Sequence, residues 1–441
     1  MGTYLQKTNS SPSSQRQFTV STWVKVCREG NDRYMWSMRV DDNNWIGFRF
    51  ATNGCVILQI YDSGSTTGQL QSNAFFRDFG SWYHFVVRVN TNDGTADDRL
   101  RIYVNGTQLT SFSTRTNLPS GYDVPITSNF QVATSPYSSQ YNSNSLDGYL
   151  TDFNYCDNYS YAPTSFGETD STTGEWKPIV DFTGVSYGNN GFRLQFGNAA
   201  ALGTDTSGNT NTLTVNNAGT NAKTVDTGTN NFSTFNSIAP TYATGSTSLV
   251  LSEGNLKTVM SNGGNGMRRS SLAAANGKWY AEFKVTSTAA ANSDDFGIGV
   301  VPADNYQIGR VAGDHTGGVV YLHTGQKRTD ASGYQSYGNS YTTGDIISVA
   351  LDMDNGQVFF YKNGTIQDSG TAAATGLSGA YVMMTQVNDA TSGSHTVEVN
   401  FGNPTFTIAS GNADANGHGN FEYAVPSGYY ALCTKNINQY G

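Results

Sequence analysis

The chain has 441 residues, with 34 acidic and 25 basic side chains and a formal charge of −9. That balance argues against wrapping nucleic acid or lying on anionic lipid, since both call for a basic surface. Charged residues are sparse at 13%, while 49 glycines and 26 tyrosines suit many short strands joined by tight turns. Length alone suggests about three domains. No apolar run approaches the roughly 18 residues of a membrane span, so no membrane insertion is expected. The opening MGTYLQKTNSSPSS has no apolar core of a secretion signal. Cys27, Cys55, Cys156 and Cys433 show no CxxC spacing and are expected to be free, buried thiols made in a reducing cytosol.

In chain order, Phe18 to Val26 alternates and reads as a strand. Trp23 falls on its otherwise polar face, so that face is expected to be covered as well. Tyr34 to Phe50 reads as a strand pair broken at Asp41-Asp42-Asn43-Asn44. Ser81 to Asn90 is a strong strand, with Tyr83, Phe85, Val87 and Val89 on one face. Arg99 to Thr107 follows and ends in Asn105-Gly106-Thr107. Leu118 to Ser145 reads as loop, and Leu146 to Tyr155 as a closing strand. Residues 160 to 245 are rich in Thr, Asn and Gly, with short apolar patches such as Phe192 to Phe196. They predict an ordered, extended segment laid along a neighbouring surface.

The second half adds strands at Leu249 to Leu251, Gly277 to Val285 and Phe296 to Val301. Ile347, Val349, Leu351 and Met353 then alternate, the period of a half-buried strand. Asp354-Asn355-Gly356 closes a turn, Val358 to Lys362 returns, and Asn363-Gly364-Thr365 repeats the ending of the first half. No stretch carries a helical period.

FTVSTWVKV, SWYHFVVRVNT, RLRIYVNGTQLTSF and LDGYLTDFNYCD, over residues 3 to 160, resemble a laminin-G-like domain of the concanavalin A superfamily. Gly-Lys-Trp-Tyr-x-Glu, Phe-Gly-Ile-Gly-Val, Gly-Asp-Ile-Ile-Ser-Val-Ala-Leu-Asp and Phe-Tyr-Lys-Asn-Gly, in that order over residues 277 to 402, resemble a SPRY domain. Between them, Ala162 to Glu168, Gly174 to Pro178, Tyr187 to Phe192, Asp205 to Asn209 and Asn230 to Asn236 resemble a connector of structural proteins of tailed, especially marine, bacteriophages. The tail from Glu422 to Thr434 resembles an ending of the same proteins. These resemblances imply an all-β fold of two antiparallel jelly-roll-like β-sandwiches joined by an extended connector, with domains at 1–160, 161–248 and 249–441.

Enzymatic chemistry finds little support in the residues. A retaining glucanase needs two carboxylates about 5 Å apart, and the Glu-x-Asp-x-x-Glu strand pattern is absent. Asp41-Asp42, Asp97-Asp98 and Asp294-Asp295 are adjacent pairs, which point to opposite faces of a strand. Asp352 and Asp354 have a same-face spacing but flank a turn, which they are expected to cap. No nucleophile elbow, phosphate loop or zinc pattern occurs. Asn105-Gly-Thr and Asn363-Gly-Thr read as hairpin turns rather than glycan acceptors. His84 reads as a packing residue. No cofactor is expected beyond a structural calcium, which the laminin-G resemblance implies at a loop rim, with Asp41, Asp42, Asp147 and Asp414 as candidate ligands.

Binding remains. Sugars are held by aromatic stacking and amide or carboxylate hydrogen bonds, and two loops have that composition. One holds Tyr137, Tyr141 and Asn142. The other holds Tyr334, Tyr337 and Tyr341, near Tyr306, Arg310 and Asp314. The alternative is that these tyrosines pack against neighbouring subunits or the linker. Replacing Tyr337 and Tyr341 with Ala is expected to abolish binding without unfolding the chain.

The reading is a non-enzymatic virion protein, made in the host bacterial cytoplasm and exposed on the particle. It adheres to host-surface polysaccharide as a tail-fibre or spike component and contacts other virion proteins. The alternatives are capsid decoration, a head fibre or a tail adaptor, and, more weakly, a polysaccharide-degrading enzyme. The first sandwich begins almost at residue 3 with no anchoring domain, heptad stalk or shaft, so a long fibre is not expected. The phage resemblance implies a homo-oligomer, a trimer as in fibres and spikes; no residue pattern shows it.

Overall fold

Strands hold 45% of the residues and helix 5%, so the all-β class read from the alternation holds. In a computed structural model, the described residues are all except 1, 28–29, 142, 220–221, 240–247, 262–264, 289–295, 305–315, 330–331 and 389–393. They divide into two units, residues 1–223 with 227–229 and residues 224–226 with 230–441.

The first unit is a sandwich of two antiparallel sheets. One has eight strands, in the order Phe112–Thr116, Ser65–Phe75, Cys55–Asp62, Asn44–Phe50, Arg33–Asp41, Asn129–Val132, Tyr4–Thr8 and Thr214–Asn216. The other has six, in the order Phe192–Leu194, Gly148–Asp157, Gln17–Val26, Tyr83–Asn90, Leu100–Val104 and Thr107–Gln108. Phe18, Val20 and Val24 meet Trp36, Met38, Phe48 and Phe130 between the sheets, with Phe85, Val87 and Val89 on the same side as the alternation predicts. Phe112–Thr116 and Asn129–Val132 lie where a loop or nothing was read. Both are short, and Asn129–Val132 is bounded by Ser and Thr rather than by an alternating run.

Trp23 on the second face is also buried. That face is covered by residues expected to form a connector. Phe166 and Tyr187 pack with Val86, Tyr103 and Cys156, and Trp176 packs with Trp23, Cys27, Trp82 and Tyr149. Two further pieces of the same segment extend the sheets. Phe192–Leu194 pairs with Gly148–Asp157, and Thr214–Asn216 with Tyr4–Thr8. The segment from 161 to 223 thus belongs to the first unit, covering the outer face of one sheet and adding one strand to each sheet.

Its two Gly/Asn motifs interlock. The Asp205 carboxylate accepts the N–H groups of Arg193, Ser207 and Asn211 at 2.9, 2.8 and 2.7 Å. Asn211 Nδ2 donates to the carbonyls of Asn189 and Gly191 at 2.8 and 2.9 Å. A Cβ on Gly191 would stand 1.8 Å from the Tyr187 carbonyl oxygen, so the tight path admits only glycine there.

The second unit repeats the plan. One antiparallel sheet runs Ser248–Ser252, Lys257–Ser261, Ser394–Asn400, Lys278–Ser287, Ile346–Asp352, Gln357–Lys362 and Thr365–Ile366, with Tyr430–Ala431 parallel to Lys278–Ser287. The other runs Asn265–Arg269, Tyr381–Asn388, Gly297–Pro302, Val319–Leu322, Gln326–Thr329 and Gln335–Ser336. Ile347, Val349, Leu351 and Met353 enter the core as expected. Ser348, Ala350 and Asp352 are buried too, so this strand is covered on both faces and not half-buried. The cover is made by Phe232, Phe421, Ala431 and Cys433 over Tyr280 and Ala350. A seven-residue helix, Thr434–Tyr440, closes the chain where no helical period was read. It is anchored by Tyr440 stacked on Tyr430 at 4.0 Å and by Asn436 Nδ2 donating to Asp414 at 2.8 Å.

Candidate functional site

The echoed Asn-Gly turns have the same geometry. Asn105 and Gly106 stand at φ 47° and 80°, Asn363 and Gly364 at 49° and 77°, the left-handed pair that closes a two-residue hairpin. Each Asn side chain also accepts a strand N–H, from His84 at 2.8 Å and from Ile346 at 2.9 Å. Each Gly seats an aromatic ring of the covering layer: a Cβ there would stand 2.7 Å from Trp176 or 2.6 Å from Tyr423.

A buried polar side chain accompanies each seat. His84 lies between Trp23, stacked at 4.8 Å, and Trp176 at 6.0 Å. Trp176 Nε1 donates to its Nδ1 at 2.9 Å, and its Nε2 lies 2.9 Å from Ser21 Oγ. Indole N–H can only donate, so Nδ1 is an acceptor and Nε2 carries the proton. Burial pushes the imidazole down to about 3, and it is neutral. In the second unit, the buried Glu282 carboxylate accepts the N–H groups of Glu422 and Tyr423 at 2.9 and 2.8 Å. Asn400 Nδ2 and Tyr280 Oη donate to it at 3.2 Å each. Burial raises its pKa, against the pull of these donors. Both groups hold covering segments in register, and His84 is the packing residue expected.

The first tyrosine loop folds onto its own sheet. Trp45 Nε1 donates to Tyr137 Oη at 2.8 Å, and Trp45 stacks on Tyr61 at 5.4 Å. Tyr141 packs against Tyr4 at 5.0 Å and its hydroxyl meets Gln131 Nε2. Tyr61, Tyr137 and Tyr141 stay half-buried and present one side outward. Trp45 and Tyr61 were not foreseen. They are cross-strand partners on neighbouring strands, a pairing that only the register of the sheet brings together.

The second loop corrects the expectation. Tyr337 is 6% and Tyr341 3% exposed. Tyr321 lies 5.4 Å from one and 5.2 Å from the other, and Tyr341 Oη donates to the Tyr321 carbonyl at 2.8 Å. Their rings fill the gap between the sheets, so the Ala variants would empty core rather than strip a surface. Tyr334 is 55% exposed, with the Arg328 guanidinium 5.0 Å from its ring. Asn142, Tyr306, Arg310 and Asp314 lie outside the described residues, as does the Asp294-Asp295 pair.

The carboxylates have structural partners. Asp41 Oδ1 accepts Asn43 N–H and Asn44 Nδ2 at 2.8 Å each, and Asp42 pairs with Arg39 at 2.6 Å. Asp147 is held by its backbone, whose carbonyl accepts the Cys27 N–H at 2.9 Å. Asp414 accepts Asn416 N–H, His418 N–H, Ala431 N–H and Asn436 Nδ2 at 2.9, 2.9, 2.9 and 2.8 Å, which occupies the lone pairs a cation would use. Among the described residues, no three His, Cys, Asp or Glu side chains come together as a metal-holding group. Asp352 caps its turn through Asn355 N–H at 3.0 Å, and Asp354 accepts Gly277 N–H at 2.8 Å. All four cysteines are buried, and none is in a disulfide.

Two sandwich domains of recognition type account for this arrangement. Residues 2–163 match the family model of the concanavalin A-like lectin/glucanases superfamily, and residues 278–402 match that of the SPRY domain. The chain thus carries one domain of each kind. Among solved structures, the SPRY domain of human HERC1 is similar at 20% identity, covering 34% of this chain and 91% of that one, with a TM-score of 0.29. The native heptameric SAP-like pentraxin from Limulus polyphemus is similar at 19% identity, covering 36% and 71%, with a TM-score of 0.28. A human SPRY domain is similar at 16% identity, covering 34% and 93%, with a TM-score of 0.25. No curated protein matches the chain.

Proposed function

We propose that this is a non-enzymatic binding protein exposed on the particle of a tailed bacteriophage, where it adheres to host-surface glycan as a tail-fibre or spike component. The observation that carries the binding role is the presence of a concanavalin A-like domain and a SPRY domain in one chain, two domain types that suggest carbohydrate or protein binding. Tyr61, Tyr137 and Tyr334 keep ring surface outward and supply stacking faces. The particle assignment rests on the resemblance of the covering segment and the C-terminal tail to phage structural proteins.

In this reading the protein is made in the bacterial cytoplasm, assembles with other virion proteins as a homo-oligomer, and requires no cofactor. Gold-labelled antibody on purified particles is expected to mark the tail. Labelling of the head would replace adhesion with capsid decoration, and absence of the protein from particles would overturn the assignment. Release of reducing ends from a bound polysaccharide would overturn the non-enzymatic part. EDTA-treated protein is expected to bind glycan as untreated protein does.

A further inference from the structure

Lys7 lies on the inward face of its strand. In Tyr4–Thr8 it shares a face with Leu5, two residues before it, and stands opposite Phe130 in the neighbouring strand. Leu5 and Phe130 are both buried in the core, and Lys7 is half-buried beside them. Among the described residues its ammonium meets two acceptors, the Thr8 carbonyl and Asn190 Oδ1, each at 3.4 Å. Neither carries a charge. Burial lowers the pKa of Lys7, against the opposing pull of Asp157 and Asp205, because desolvation disfavours the charged form. The site therefore favours the neutral amine, which is a nucleophile.

The amide that faces this amine is held in a fixed orientation. Asn190 Oδ1 accepts Ser10 N–H and Ser10 Oγ–H at 2.9 Å each, and Asn190 Nδ2 donates to the Ser10 carbonyl at 3.0 Å. The two Ser10 donors polarise the amide carbonyl and stand where negative charge would develop on Oδ1 during attack at Cγ. Asp157 accepts the Asn190 backbone N–H at 3.1 Å and is the carboxylate that acts most strongly on Lys7. It is itself fixed by Ser13 N–H and Ser14 N–H at 2.8 and 3.4 Å. Asn190 and Asp157 are fully buried, so water is kept from competing for the carbonyl.

We propose that Lys7 and Asn190 join in an intramolecular isopeptide bond. Lys7 Nζ adds to Asn190 Cγ, and the carbonyl electron pair moves onto Oδ1, where the Ser10 donors hold it. When the carbonyl re-forms, the Cγ–Nδ2 bond breaks and the amide nitrogen leaves as ammonia. The proton it needs comes from Nζ, carried by Asp157. No oxidant or co-reactant is consumed. The bond spans 183 positions and fastens the strand Tyr4–Thr8 to the segment that holds Tyr187 and Phe192, so the cover of the first unit is closed covalently.

Mass spectrometry of the purified, denatured full chain tests the bond. The chain is expected to weigh one ammonia less than its sequence. Trypsin should no longer cut after Lys7, and the digest should contain a branched peptide joining residues 7 and 190. Lys7→Arg keeps the charge and the stem but removes the nucleophile, and it should restore the sequence mass and abolish the branched peptide. A wild-type chain of full sequence mass, cut normally after Lys7, would overturn the proposal. So would an ammonia loss that persists in Lys7→Arg, which is the mark of a succinimide at an Asn-Gly pair such as Asn190-Gly191.

Discussion

Lowering the pH from 7 to 5 should destabilise the first unit through His84. The imidazole is enclosed by Trp23 and Trp176, and burial holds it at about 3 against an ordinary 6.5. A second proton would have to sit on Nδ1, where it meets the donating Trp176 Nε1 at 2.9 Å. The unfolded chain takes up its proton as the pH falls through about 6.5, the folded chain only near 3. Between these values the unfolded state binds more protons, so stability falls with falling pH. Each pH unit in that window is worth about 1.4 kcal/mol, which gives a loss of about 2 kcal/mol at pH 5. For a unit of this size that is about 4–8 °C in Tm. Calorimetry of wild type and His84→Gln at both values isolates the effect. The variant is less stable throughout, but its drop between pH 7 and 5 should be smaller by about that amount. Equal drops would refute a neutral, buried His84.

Gly106→Ala and Gly364→Ala should each destabilise their own unit by about 2–4 kcal/mol, since a left-handed backbone strains an L residue by about 1–2 kcal/mol and the aromatic seat is lost as well. Near-ultraviolet circular dichroism should report release of Trp176 or Tyr423 before global melting; unchanged spectra and melting would remove the seat. Tyr337→Ala should cost about 3–5 kcal/mol as a core deletion, whereas Tyr334→Ala should change stability by no more than about 0.5 kcal/mol. Chemical denaturation separates the two, and similar midpoints would contradict their burial.

The sequence made the sandwiches legible because alternation reports burial directly. Phe85, Val87 and Val89 face the core for the same reason that they alternate. Trp23 on a polar face correctly announced a covering layer. Residues 160 to 245 announced a segment laid along a neighbouring surface, but which surface it covers was not legible, since Trp176 and Phe166 sit among Thr, Gly and Asp residues. The tyrosine loops misled for a related reason. Ser, Gly and Asn around Tyr337 and Tyr341 signal an exposed turn, but a turn can point its rings inward, and composition does not say which way a ring points.

The two units solve one packing problem in the same way. In each, the outer face of one sheet is closed by segments that lie outside that sandwich in sequence. Apolar contact alone would let such a segment slide, because it is non-directional. His84 and Glu282 remove that freedom: each is buried, and each is satisfied only when particular donors of the covering segment, Trp176 Nε1 or the Glu422 and Tyr423 N–H groups, stand opposite. A misregistered cover would leave a buried polar group unpaired, which costs more than the hydrogen bond gains. The outer face of the second unit's other sheet is also apolar and buried. Variants at Arg16, Asp123 and Tyr334, whose side chains stand exposed, should therefore leave folding intact, whereas variants on these covered sheet faces should not.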